Sequence, residues 1–218
     1  MNKAVLYIHG RGGDPGEADH YRPLFPGCAV FGADYKGDTP WDTAPELRAC
    51  YGELEKRYGS VILIANSIGA YFAMNAIHEM NAIHEMNALH DMNAPLNRQP
   101  ERAFFISPIV DMEGLIRTMM EANGTDEEEL RERGTVRTDF GEVLTWEYLC
   151  YVREHPVVWR APTHILYGER DNLTDHRTVA RFAESCGATL TVMPDGEHWF
   201  HTEEQMAFLD RWVREHAG

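Results

Sequence analysis

Three side chains of this sequence have the types and order needed to cleave a carbonyl compound: Ser67, Asp171 and His198. A serine hydroxyl is a weak nucleophile until a neighbouring base takes its proton, and a histidine can do so near neutral pH when a carboxylate orients its ring. The serine lies in Val61-Ile62-Leu63-Ile64-Ala65-Asn66-Ser67-Ile68-Gly69-Ala70, where an apolar run reads as a buried strand and helix-compatible residues follow from Tyr71. A strand, a sharp turn and a helix in that order lift a serine Oγ clear of a sheet. The strained turn demands small residues two positions to either side. Ala65 and Gly69 meet that demand, although the usual pattern has glycine at both places, so Ala65 departs from it by one methyl group. Taken alone, this stretch also admits an ordinary strand-to-helix crossover with a chance serine, but the strand-turn-helix context favours the nucleophile.

The carboxylate comes from Tyr167-Gly168-Glu169-Arg170-Asp171-Asn172, which follows a strand at the sheet edge that also carries Ser67. Thr174 reads as the cap of the next helix, which leaves Asp171 outside that helix and able to face a histidine. Glu169 and Asp175 are substitutes, and Asp111 is a more remote one. In Pro194-Asp195-Gly196-Glu197-His198-Trp199-Phe200-His201, the last histidine precedes a capping box at Thr202 to Gln205, where a staple contact is its expected role. His198, in the loop proper, is therefore the base. A cluster at the end of the first strand, His9-Gly10-Arg11-Gly12-Gly13, can turn amide N–H groups toward a neighbouring loop, as an oxyanion hole requires, with Arg11 the favoured donor. A flexible loop opening or a weak phosphate-binding turn are the other readings. The second lacks the dinucleotide spacing, although Asp34 sits near where an acidic partner would fall.

These residues need a scaffold. Strands are expected at residues 4–8, 28–32, 61–64, 102–106, 164–167 and 189–193, alternating with helical stretches, one of them from about Glu46 to Tyr58 after a polar loop from Asp34 to Pro45. That alternation implies βαβ units and a mostly parallel sheet of about six strands. Residues 111–160 are too many for one crossover and read as a small helical cap. Met112, Leu115, Ile116, Met119 and Met120 give its first helix an apolar face, Thr125 and Glu128 a capping box for a second, and Trp146, Leu149 and Tyr151 a third helix. Such a face is either plain core or an acyl pocket; His9, Gly10, Trp199, Met112 and Ile116 are the candidate substrate-pocket residues.

Residues 75–92 read NAIHEM, NAIHEM, NALHDM, with Asn93-Ala94 beginning a further copy before Pro95 stops it. Eighteen residues are five α-helical turns, so this insertion lengthens the helix after the serine by about 27 Å without changing its phase. Ile77, Met80, Ile83, Met86, Leu89 and Met92 recur every third residue and wind around the helix. No single face can bury such a track, so a homo-oligomer, most simply a two-fold dimer through this segment, is expected. His78, His84 and His90 suggest a metal, but a spacing of six residues points successive rings roughly 120° apart, so no ion is held by one helix.

With 218 residues, 44% of them hydrophobic, the chain suits a single α/β domain. A net charge of −15 argues against nucleic acid and anionic membrane surfaces as partners. A strand beginning by Lys3 and the absence of a long apolar run lead to the expectation of a cytoplasmic protein without signal peptide or anchor. Cys28, Cys50, Cys150 and Cys186 lack metal-like or framework spacing and read as reduced, small hydrophobes.

The chain order Ser, Asp, His, preceded by His9-Gly10 at the first strand, is more specific than any one part, and in it the sequence resembles a small α/β-hydrolase of the serine esterase kind over nearly its whole length outside 75–92. The resemblance implies Ser67 as nucleophile, His198 as base, Asp171 as acid, and an oxyanion hole from the backbone N–H groups of Ile68 and Arg11. It also implies that the two strands preceding the oxyanion strand in larger members are absent. The function expected is a cofactor-free carboxylesterase acting on small-molecule esters of short to medium acyl length. A thioesterase, a peptidase or a non-catalytic small-molecule binder with the same residues are the alternatives, as is an assembly role for the repeat.

Overall fold

The computed structural model describes residues 3–88, 99–139 and 141–217. They form two compact units, one made of the chain up to Val110 and from Val158 onward, the other of Asp111–Val157.

In the first unit the chain runs through β1 (Ala4–Ile8), a 3-10 stretch (Pro15–Leu24), β2 (Ala29–Gly32), α1 (Pro40–Tyr58), β3 (Val61–Asn66), α2 (Ile68–Ala88) and β4 (Arg102–Ile106). The second unit holds α3 (Met112–Ala122), α4 (Glu127–Arg133), β5 (Thr135–Arg137), β6 (Val143–Thr145) and α5 (Trp146–Glu154). The first unit then resumes with β7 (Thr163–Gly168), α6 (His176–Cys186), β8 (Thr189–Met193) and α7 (Glu203–Ala217). Its six strands pair in the order β2-β1-β3-β4-β7-β8, every pair parallel, so the carboxyl ends of β1, β3, β7 and β8 share one edge. The expected α/β architecture and six-stranded sheet are both present.

The central strands are apolar at successive positions because both faces of the sheet are covered. On one face Val5, Ile62, Ile64, Phe104 and Leu166 pack with Leu209, Trp212 and Val213 of α7, and the Phe104 and Trp212 rings meet edge to face at 5.5 Å. Leu47 and Tyr51 of α1 and Tyr71 and Phe72 of α2 are buried as well.

Three helix starts differ from the sequence expectation, while the strand ends move by one or two residues at most. The first is α1, which begins at Pro40 rather than Glu46: Thr39 caps it and proline occupies the first turn, where its missing N–H costs nothing. Pro45 lies inside the helix and is the residue that makes its start look later. Second, α4 is capped by Asp126, which accepts from Glu129 N at 2.9 Å, one residue beyond the expected Thr125. Third, α6 is capped by Asp175 and not Thr174. The box at Thr202 and Gln205 forms as expected, with reciprocal bonds of 3.2 and 3.4 Å.

The second unit contains an antiparallel ribbon, β5 with β6, in addition to its three helices. Strands of three residues are too short to show an alternation in sequence. Its helices are tied by Arg153 on α5, which donates to Glu113 on α3 at 2.9 Å and to Glu127 on α4 at 2.6 Å. Those bonds hold both carboxyls below the usual glutamate range.

The repeat continues α2 as a helix through Ala88. Asn75, Ala76, Ile77 and Met80 of the first copy are buried, and Glu79 pairs with Arg48 of α1, while Ile83 of the second copy is 49% exposed. The apolar track is thus absorbed by the fold at Ile77 and Met80 and emerges at Ile83. The expectations for Leu89, His90, Met92 and Pro95 lie outside the described residues. All four cysteines are free thiols, and no helix among the described residues is long and apolar enough to cross a membrane.

Two glycines separate backbone need from opportunity. A Cβ at Gly69 would lie 2.3 Å from His9 O and 2.6 Å from Ile8 O, backbone atoms of β1 and its following loop that cannot step aside. Gly52, inside α1, has nothing within 4 Å of that position. Gly52→Ala is expected to raise stability by about 0.5–1 kcal/mol, a melting shift of roughly 1–4 °C, and Gly69→Ala to lower it by about 1–3 kcal/mol or abolish folding. Calorimetry or thermal circular dichroism of the pair checks both signs.

Candidate active site

Ser67 follows directly on β3 and precedes α2, and its backbone has φ 53, a left-handed conformation that few non-glycine residues adopt. Neighbours hold it there. Ser67 N donates to Ile106 O at 2.9 Å, and Ser67 O accepts from Ile109 N and Ala70 N, each at 3.1 Å. The turn turns the side chain toward His198, whose Nε2 lies 2.8 Å from Ser67 Oγ. Ala65 is fully buried in β3 between Ile8 and Phe105, so the strand accommodates the extra methyl group.

The loops after β7 and β8 bring the other two side chains in. Glu169 N donates to Met193 O at 3.0 Å, Arg170 N to Gly196 O at 2.7 Å, and Asp195 N to the Glu169 carboxylate at 3.0 Å. Across this joint His198 Nδ1 meets Asp171 Oδ2 at 2.7 Å. The other Asp171 oxygen accepts from Leu173 N at 2.9 Å and Thr174 N at 3.1 Å, so a carboxylate whose side chain is 0% exposed is satisfied on both oxygens. Of the substitutes, Glu169 serves the loop joint, Asp175 caps α6 and Asp111 caps α3. His201 stacks on Trp199 with centroids 4.4 Å apart, and its N–H donates to Gln205.

Ser67 and His198 face a cleft of about 740 Å³, lined by first-unit residues that include Gly10, Arg11, Tyr7, Glu17, Trp199 and Leu173. A smaller cavity of about 260 Å³ lies on the other side of the 10–13 loop and is lined by His9, Arg11, Tyr35 and Ile68 among others. The loop is a wall shared by both. Gly10 allows its close approach, since a Cβ there would sit 3.2 Å from Ser67 Cβ. His9 is the anchor of that loop: its ring stacks on Tyr35 at 4.2 Å and its carbonyl accepts from the Tyr35 hydroxyl at 2.5 Å. Ile68 is the first residue of α2, where an amide has no acceptor within its helix.

Of the expected pocket residues, Gly10 and Trp199 line the cleft and His9 the smaller cavity. Met112 and Ile116 belong to the second unit, where both are buried on α3. Tyr7, Glu17 and Leu173 are cleft residues that sequence patterns did not single out. The one signal was Tyr7, a polar-tipped side chain in an otherwise aliphatic strand. Burial pushes the thiols of Cys28, Cys50 and Cys186 up, away from thiolate. No group of side chains among the described residues is arranged to hold a metal ion.

The model of the alpha/beta hydrolase family matches residues 5–211. The chain therefore belongs to the α/β-hydrolase family. Its structure is similar to a putative hydrolase from Agrobacterium vitis, with a TM-score of 0.75 at 18% identity over 98% of this chain and 87% of that one. It is also similar to Est1E from Butyrivibrio proteoclasticus, with a TM-score of 0.73 at 17% identity over 99% and 87% of the two chains. A serine hydrolase without lid from Xanthomonas campestris superposes with a TM-score of 0.57 at 15% identity over 99% and 80%. At such identities the likeness is one of fold. Among curated proteins no sequence matches.

The geometry around Ser67 gives a direct expectation. A fluorophosphonate probe should label Ser67, as read by peptide mass spectrometry, and Asp171→Asn should slow labelling on the order of 10⁴-fold by leaving His198 in the wrong tautomer. Equal labelling rates in the two proteins would remove Asp171 from the site.

Proposed function

We propose that this α/β hydrolase is a serine esterase that cleaves short- to medium-chain carboxylic esters through an acyl-enzyme on Ser67. The observation that carries the reading is the continuous hydrogen-bond chain from Ser67 Oγ through His198 to buried Asp171, at 2.8 and 2.7 Å, opening on a cleft. A cleft of about 740 Å³ is within the range of small-molecule sites and supports the substrate size.

In this reading Ser67 Oγ attacks the ester carbonyl carbon while His198 Nε2 takes its proton. Asp171 stabilises the resulting imidazolium and keeps its ring in register. The carbonyl oxygen, now negative, is held by the backbone N–H groups of Arg11 and Ile68, which flank Ser67 from the loop and from the start of α2. Collapse of the intermediate breaks the bond to the alcohol oxygen, which receives the proton from His198. Water then attacks the acyl carbon with His198 again as base, and the carboxylic acid leaves as Ser67 regains its proton.

The triad does not encode the leaving group, so the test includes it. Hydrolysis of p-nitrophenyl butyrate by the wild type and Ser67→Ala, both folded by circular dichroism, should differ by about 10⁴-fold or more. Equal rates would exclude Ser67 as the nucleophile. A thioester or anilide turned over faster than the matched ester would keep the mechanism and replace the substrate class, and binding without turnover of any of them would make the protein a binder.

A further inference from the structure

We propose that Glu17 and Tyr7 form an acceptor site in the cleft that selects esters bearing a hydrogen-bond donor, a hydroxyl or ammonium group. The inference rests on the esterase reading and specifies its substrate class.

Both residues line the cleft with Ser67. Tyr7 belongs to β1, two residues before His9, and is 3% exposed. Its hydroxyl donates to Glu17 Oε2 at 2.5 Å, which commits its one proton and leaves its oxygen only lone pairs to offer. Burial, reinforced by Tyr21 and Glu17, pushes the phenol far up, so the proton stays in that bond. Glu17 lies on the 3-10 stretch, and its carboxylate rests on the glycine loop: a Cβ at Gly13 would fall 2.8 Å from Oε1 and 3.1 Å from Oε2. A carboxylate has about four acceptor positions, and Tyr7 uses one of them. His20, a further polar side chain of this wall, is engaged with Asp210 at 2.8 Å. The pair therefore presents negative charge and lone pairs beside the nucleophile.

The rest of the cleft has a different character. In the sheet order, β1 and β7–β8 lie on opposite sides of β3, so the wall after β1 and the wall from the β7 and β8 loops flank Ser67 from either side. The second wall carries Trp199, 68% exposed, and Leu173, 42% exposed. Large apolar side chains left open beside a nucleophile favour an apolar substrate body. An ester with such a body and a donor at its far end satisfies both walls, whereas an anionic end would meet the Glu17 carboxylate.

The test is a matched set of substrates. Methyl 3-phenylpropanoate and its para-hydroxyl, para-aminomethyl and para-carboxylate relatives place the group on the acyl side; acetates of the corresponding 3-phenylpropanols place it on the alcohol side. In at least one series, kcat/KM of a donor-bearing ester should exceed that of the parent by about tenfold, with the carboxylate below the parent. The hydroxyl and aminomethyl members distinguish a neutral from a cationic donor. Glu17→Gln should bring the ratio of donor-bearing to parent ester close to one, and Tyr7→Phe, which frees the carboxylate from its anchor, should reduce it where Glu17→Gln fails to fold. A wild type that hydrolyses every member equally overturns the acceptor site and leaves the esterase reading standing. So does a preference for the carboxylate, which would point to Arg11 instead. Ratios unchanged in Glu17→Gln overturn it as well. A wild type that hydrolyses no member and is not labelled at Ser67 would sink the esterase reading and this inference together.

Discussion

The left-handed backbone of Ser67 is the constraint on which the surrounding structure depends. A non-glycine residue at φ 53 is strained by roughly 1–3 kcal/mol and persists only where neighbours over-determine it. Here the neighbours are the end of β4, through Ile106 O, and the segment after it, through Ile109 N. The conformation makes the chain turn from strand to helix within one residue, which presses Gly69 onto the carbonyls of Ile8 and His9. That contact sets where β1 ends relative to the serine and therefore where the loop at 10–13 lies. One torsion thus places both the hydroxyl and the loop beside it. Glycine at 10 and 69 follows from that closeness, whereas position 65, inside the strand, has room for a methyl group.

Asp171 and His198 reach the serine from far along the chain, and the sheet explains how. β7 and β8 are neighbours, so their following loops lie side by side and are joined by backbone bonds around Gly168 and Gly196. A Cβ at Gly168 would fall 2.5 Å from Glu197 O, which shows how closely the two loops are fitted. The carboxylate is withdrawn from solvent, but every withdrawn oxygen is paired. A buried polar group is tolerated only when it is hydrogen-bonded, so this pairing is what allows the side chain to sit out of water beside His198.

That Ser67, His198 and Asp171 come together, and that the sheet is parallel, were legible in the sequence because both are carried by local patterns: apolar runs, one strand-turn-helix, and a capping box that set His201 apart from His198. Pattern could not place residues whose roles come from packing. Thr174 resembled a cap, yet its amide serves Asp171 and its carbonyl accepts the Tyr167 hydroxyl, while Asp175 caps the helix. Pro45 looked like the end of a loop although the helix had already begun at Pro40. Met112 and Ile116 share an apolar helix face, and periodicity does not say which neighbour that face meets. Glu17 lies in a 3-10 stretch with no apolar periodicity, so its place on the glycine loop follows only from tertiary structure.

The hexapeptide repeat makes sense as a consequence of where α2 starts. A helix that begins at Ser67 runs away from it at about 1.5 Å per residue, so Asn75 is already roughly 12 Å along and Ile83 roughly 24 Å. Whatever is added after the first copy lengthens the helix at the end remote from Ser67 and leaves the strand-turn-helix junction untouched. The first copy does not share that freedom. Its Ile77 and Met80 are core residues and its Glu79 holds Arg48 of α1, so it behaves as the native course of the helix rather than as an appendage. The separation of Ser67 from the repeat is therefore a matter of direction along one helix: the nearer part is fixed by packing against α1, and at Ile83 the described helix is already exposed.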